Sequence, residues 1–201
     1  MQIFRLPGGV LNANTYVLYK DGLSEAIVID PTDADRLDDF LTRHSLRPAA
    51  VLLTHGHFDH ICGLYAFLRR HSVPLFLHPG DRSMLTDPMH CGLHLFFPDA
   101  PFDVVEGSTA ISDEELLSLA GLSVRVLSTP GHSKGSVCYS IENVLFSGDT
   151  IFRAGFGRTD LWGGSQRELQ SSLIRLKTLA PDTVVYPGHG PKTTIGLELL
   201  S

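Results

Sequence analysis

Short apolar runs alternate with amphipathic stretches along most of the chain. Residues 15–20, 25–30, 49–54 and 74–78 are rich in Val, Ile and Leu and are bounded by Gly or Pro, which predicts strands. A helix is expected after Pro31: Thr32 or Asp33 can cap it, and Leu37, Phe40, Leu41 and His44 share one face before Pro48 stops it. Ile61, Leu64, Tyr65 and Leu68 fall at i, i+3, i+4 and i+7 and predict a second helix. It ends in Arg69, Arg70 and His71, where a helix terminus favours cations. Residues 122–129, 136–141, 144–147 and 183–186 predict further strands. Ser165 and Glu168 form a capping box for a helix over 165–176, and a short closing helix starts near Ile195. Residues 84–103, with three prolines, two histidines and Phe96, Phe97 and Phe102, follow neither period. They are expected to lie as a hydrophobic loop over the core, with a lid as the alternative.

Strands and helices interleave, yet several strand pairs are joined too tightly for a helical crossover, so the sheets must be mixed. No linker and no internal repeat interrupts the pattern, which predicts a single domain over residues 1–201. The hydrophobic fraction of 43% and the lack of any biased tract place the chain among folded globules. Sixteen Lys and Arg against twenty-two Asp and Glu give a net charge of −6, and no basic run appears, so nucleic acid is not an expected partner. Nor is a membrane: the N-terminus has no secretion-signal pattern, and no apolar run nears about eighteen residues. Cys62, Cys91 and Cys138 form an odd set without CxxC spacing, read as buried thiols of a reducing, cytoplasmic protein.

Four predicted strands end alike, running into His55, His132, Asp149 and His189 with small residues alongside. Strand ends of this kind are where α/β folds hold ligands. The densest cluster is Thr54-His55-Gly56-His57-Phe58-Asp59-His60. In extended backbone His55 and His57 lie on the same side and can converge on one point, a metal site. Asp59 and His60, where the chain turns into a helix, reach a second point. Neutral imidazoles with carboxylates suit Zn²⁺, Fe or Mn. His44, His71, His78, His90 and His94 keep structural readings, the last three also being weak substrate-contact candidates. Gly-x-Ser-x-Gly is absent, so no serine nucleophile is expected.

The order HGHFDH, PGH, SGDT, PGHG resembles the metallo-β-lactamase superfamily from Asp30 to His189. The resemblance implies an α/β fold, a four-layer αββα sandwich of two mixed sheets with outer helices. It implies one cation on His55, His57 and His132, and another on Asp59, His60 and His189. Asp149 would bridge them, with Asp59 and Asp149 as the catalytic carboxylates and Asp30 supporting the ligands from behind. The segments Gly148-Asp149-Thr150, Gly157-Arg158-Thr159-Asp160 and Gly188-His189-Gly190-Pro191-Lys192 are similar to the glyoxalase II-like branch. That branch cleaves thioesters such as S-lactoylglutathione. The sequence ends at Ser201 without the C-terminal helical segment through which longer members contact glutathione, so a short form is expected. The implied mechanism is attack on a small-molecule thioester by hydroxide bridging two divalent cations, Zn²⁺ first, about 3.5–4 Å apart. Arg158 and Lys192 are candidate contacts for a substrate anion. The alternatives are a persulfide dioxygenase with a single iron, a lactonase, and a metal-stabilised binding module without catalysis.

Overall fold

The computed structural model describes residues 1–200. The first half of the chain builds a six-stranded sheet from β1 (Gln2–Gly8), β2 (Ala13–Tyr19), β3 (Glu25–Ile29), β4 (Arg47–Leu52), β5 (Leu75–Leu77) and β6 (Thr109–Ala110), in that order. The pairings β1–β2 and β2–β3 are antiparallel and the rest parallel. The second half supplies β7 (Leu116–Leu119), β8 (Leu122–Ser128), β9 (Val137–Ile141) and β10 (Val144–Gly148). A small hairpin follows, β11 (Ile151–Phe152) with β12 (Gly155–Phe156), and then β13 (Val184–Pro187) and β14 (Thr193–Thr194). The second six-stranded sheet runs β14-β13-β10-β9-β8-β7, with only β10–β13 parallel. Both sheets are mixed, as the tight connections require.

Strand alternation divides the apolar side chains among three cores. Leu18, Ile27, Ile29 and Leu52 of the first sheet meet Val124, Val126, Tyr139 and Phe146 of the second in the central core. The opposite face of the first sheet, with Val17, Val28 and Val51, packs on the helices α1 (Ala34–Arg43), α2 (Phe58–Ile61) and α3 (Leu64–Arg70) through Leu37, Leu41, Leu64 and Phe67. After the short helix α4 (Leu93–Phe96), α5 (Gln166–Leu176) and α6 (Ile195–Leu199) cover the outer face of the second sheet, where Leu176 and Ile195 meet Leu127, Leu145 and Val185. The result is an αββα sandwich.

Asp33, one of the two expected caps, accepts the Arg36 amide at 3.1 Å, and Ser165 accepts that of Glu168 at 3.3 Å. The second predicted helix is divided. Its apolar face continues through α2 and α3, but the chain breaks at Cys62-Gly63, where the Gly63 amide turns out to the Pro31 carbonyl. A Cβ at Gly63 would lie 2.7 Å from the Asp33 amide nitrogen, so the break lets the backbone press against the start of α1. This break also corrects the expectation of three buried thiols. Cys91 and Cys138 are buried, but Cys62, at the outer side of the interruption, is exposed. Residues 84–103 are neither a plain loop nor a detached lid: Met84, Leu85 and Cys91 belong to the helix-side core, and α4 lies within the segment. No helix among the described residues is long and apolar enough to cross a membrane.

Candidate metal centre

β8 and β10 both run antiparallel to β9, and β13 runs parallel to β10, so the C-terminal ends of these three strands share one edge of their sheet. The loops beyond them carry His132, Asp149 and His189. The loop after β4 brings His55 and His57 to the same edge and enters α2 with Asp59 and His60. Hydrogen bonds join the sheets here: Tyr139 Oη donates to the Leu53 carbonyl at 2.7 Å, the Val137 amide to the Thr54 carbonyl at 2.8 Å, and Tyr16 Oη to the Pro187 carbonyl at 2.6 Å.

All seven side chains are gathered. Donor atoms of His55, His57 and His132 lie within 4.8 Å of one another, and so do those of Asp59, His60 and His189. Asp149 stands between the groups: its Oδ1 is 3.2 Å from His60 Nε2, and its Oδ2 is 3.6 Å from Nε2 of both His132 and His189.

The nitrogen turned away from the cluster fixes three of the rings. His132 Nδ1 lies 2.7 Å from the Arg158 carbonyl, which can only accept, so Nδ1 donates there and Nε2 is turned toward the cluster. His60 Nδ1 donates to Asp30 Oδ2 at 2.9 Å. His55 Nδ1 is 3.0 Å from Thr54 Oγ1, whose own proton goes to Asp30 Oδ2 at 2.6 Å. Asp30 also accepts the Thr54 amide at 2.8 Å. Its donor atoms fall within 4.8 Å of those of His55 and His60, but both its oxygens are occupied by these bonds, which suits orienting rather than ligation.

Inside the cluster His57 Nδ1 lies 2.8 Å from His132 Nε2 and His189 Nε2 3.1 Å from Asp59 Oδ2, but other inward-facing atoms have no partner. Nε2 of His55, His57 and His60 and Oδ1 of Asp149 are buried without a hydrogen bond, an arrangement that is costly in a folded protein unless something fills it. Burial and the neighbouring imidazoles hold His55 well below the usual histidine pKa. Burial and His132 bring His57 down to about 3. Both are therefore neutral, as metal ligands must be. Burial also opposes charge on His60, but the Asp149 and Asp59 carboxylates outweigh it and raise its pKa well above the usual value. In Asp149 burial disfavours ionisation, yet His60, His132 and His189 hold its pKa low. The inward-facing carboxylates call for positive charge among these imidazoles, which divalent cations would supply, and the all-N/O donor set suits Zn²⁺, Fe or Mn.

The cluster floors a cleft of about 250 Å³ whose walls are largely apolar: Leu11, Phe58, Cys91, Phe96, Phe152 and Leu161. Arg158 also lines it, with its guanidinium held by Asp160 in a two-pronged ion pair at 2.6 and 2.8 Å. Lys192 does not line the cleft. It is exposed on a separate groove with Arg153, Phe156 and Glu198. Of the other histidines, His78 accepts the Gly80 amide, His94 reaches the Ala100 carbonyl, and His90 stacks on Trp162 at 4.0 Å between centroids. None lines the cleft. Sequence reasoning missed Asp81, a fully buried carboxylate linking two of the ligand-bearing loops; a lone Asp in a Pro-Gly-Asp turn gives no periodic or motif signal.

The sequence profile described as the metallo-beta-lactamase superfamily matches residues 8–189. The chain is 41% identical to an uncharacterized protein of Mycobacterium tuberculosis, covering 98% of this chain and 95% of that one. It is 36% identical to a probable metallo-hydrolase of Bacillus subtilis, over 96% and 92% of the two chains. A hydroxyacylglutathione hydrolase of Nitrosomonas eutropha is 31% identical over 82% of this chain, which spans 56% of that protein. Among solved structures, BLEG-1 B3 metallo-beta-lactamase superposes with a TM-score of 0.94 at 40% identity, covering 100% and 97% of the chains. TTHA1623 in a di-iron-bound form superposes at 0.85 and 33%, covering 96% of each. ETHE1 from Myxococcus xanthus superposes at 0.77 and 26%, over 98% and 80%.

Proposed function

The chain belongs to the metallo-beta-lactamase superfamily, and on that footing we propose that it is a binuclear metal-dependent hydrolase of a small-molecule thioester such as S-lactoylglutathione. The observation that carries this reading is the set of pinned rings. His55, His60 and His132 are each held from behind, so that their Nε2 atoms converge with His57, Asp59 and His189 on two points, with Asp149 between them. In this reading His55, His57 and His132 hold one cation, Asp59, His60 and His189 the other, and Asp149 serves both. Zn²⁺ fits the donors, and similarity to a di-iron form makes iron the next choice. When bound, such cations bring the pKa of a water from about 16 toward about 7 and polarise the substrate carbonyl.

The chain's own residues account for the rest. Apolar walls exclude bulk water and bind the non-reacting parts of the substrate. The Arg158–Asp160 pair stiffens the loop whose carbonyl orients His132. Among the described residues no proton donor suited to neutral pH lines the cleft outside the ligand set; burial pushes the Cys91 thiol up to about 11. A thiolate, with a thiol pKa near about 8.5, leaves without acid help, whereas an amine does not. The hydroxyacylglutathione hydrolase likeness supports the same substrate class.

A second reading, hydrolysis of a β-lactam amide, is favoured by the 40% identity to BLEG-1. Metal analysis of protein purified without added metal, paired with thiol release from S-lactoylglutathione and turnover of a chromogenic β-lactam, separates the two. We expect two cations per chain, thiol release, and a loss of turnover by orders of magnitude in His57→Ala with the fold retained. A metal-replete protein that releases no thiol would overturn the thioester reading. A single iron with oxygen uptake on a persulfide would replace it.

A further inference from the structure

Asp81 hydrogen-bonds none of the seven ligands, yet it is fully buried beside them. Its Oδ2 accepts the Gly56 amide at 3.1 Å and the Ser133 hydroxyl at 2.6 Å, and its Oδ1 accepts the Gly135 amide at 2.6 Å. Gly56 lies between His55 and His57, and Ser133 follows His132. One carboxylate therefore grips two loops that come from different sheets, after β4 and after β8. The grip is tight: a Cβ on Gly135 would lie 2.7 Å from Asp81 Cγ, and one on Gly56 2.6 Å from Met84 Cβ. In the Asp59, His60 and His189 group, His60 is held by Asp30, which through Thr54 also reaches His55, and Asp59 accepts from His189; none of the three shares a hydrogen bond with Asp81.

We propose that Asp81 is a positioning residue that clamps the His55–His57 loop to the His132 loop and thereby sets the cation affinity of the three-imidazole group, leaving the other group unchanged. The proposal rests on the binuclear reading above. All three partners donate, so both oxygens must accept. Asn has the same shape but one acceptor: whichever way the amide turns, its NH₂ faces the amide of Gly56 or of Gly135. Removing a partner bonded directly to a ligand typically costs about 10–100-fold in metal affinity, and loosening a clamp that seats two ligand loops is expected to fall in the same range.

The test loads wild type, Asp81→Asn and Ser133→Ala with Zn²⁺, strips them with graded chelator, and counts retained Zn²⁺ per chain. His189→Ala, which removes a ligand of the other group, marks the opposite loss. The thermal melting of the metal-free proteins is measured alongside. In Asp81→Asn one Zn²⁺ is expected to leave at roughly 10–100-fold weaker chelation while the second leaves as in wild type. Combined with His189→Ala, Asp81→Asn should weaken both. Ser133→Ala, which removes one of the three bonds, should move the same ion by less, and it decides the matter if Asp81→Asn does not fold. Two ions retained at wild-type affinity, or both weakened together with a lowered metal-free melting temperature, would overturn the proposal alone. A wild type that never holds a second Zn²⁺ would overturn the binuclear reading, and the proposal with it.

Discussion

Gly188→Ala changes no ligand and should nevertheless disable the site. Gly188 lies between β13 and His189, and a Cβ there would stand 2.6 Å from His60 Cε1 and closer still to Asp149 Oδ1. Non-bonded carbons rest at about 3.5–4.0 Å, so something must retreat by about 1 Å. The Gly188 backbone is held on both sides: its amide donates to the Gly148 carbonyl at 2.7 Å, and its carbonyl accepts the Asn14 amide at 2.7 Å. The displacement therefore falls on Asp149 and His60. A 1 Å misplacement costs on the order of 100-fold in rate, about 2.7 kcal/mol of barrier, and overpacking removes about 1–3 kcal/mol of stability. Elemental analysis, thiol release and thermal melting are measured beside Gly155→Ala, where an added Cβ meets nothing within 4 Å. Gly188→Ala should lose bound metal and about 100-fold in turnover, and Gly155→Ala should match wild type. Full metal content with wild-type turnover in Gly188→Ala would refute the assignment of Asp149 and His60 to the working site.

Asp30→Asn keeps a residue type that tolerates the left-handed backbone at φ 50° but puts a donor against Thr54 or His60. A loss of about 2–3 kcal/mol in urea unfolding is expected, with weakened metal binding. Arg158→Ala breaks a solvent-exposed ion pair, which salt and water screen, so melting should barely shift and KM should be unchanged; a raised KM would assign the guanidinium to the substrate instead. Ser165→Ala removes the α5 cap and should cost about 1 kcal/mol in denaturant unfolding with kcat unchanged.

The strands of the central core were legible because residues such as Val28 and Ile29 alternate between two apolar layers and so carry long Val, Ile and Leu runs. β1 was not. It pairs only with β2 at the sheet edge, contains Pro7, and is only partly buried, so no apolar run marks it. The break between α2 and α3 was hidden because the apolar face runs through it; its cause, the approach of Gly63 to the start of α1, is a tertiary contact. The seven inward-facing side chains could be named from residue type and strand ends. Their orienting partners could not: the Arg158 carbonyl acts through backbone, and Asp81 through a fold-dependent approach. Lys192 fails for the complementary reason. Lying three residues past His189 says nothing about direction, and the chain turns it onto another groove.

The most direct measurement is an anomalous-difference map from crystals of the protein loaded with Zn²⁺, recorded at the zinc edge. Two peaks are expected, one among His55, His57 and His132 and the other among Asp59, His60 and His189, with the Asp149 carboxylate reaching both. A single peak, or peaks lying away from these side chains, would contradict the binuclear centre.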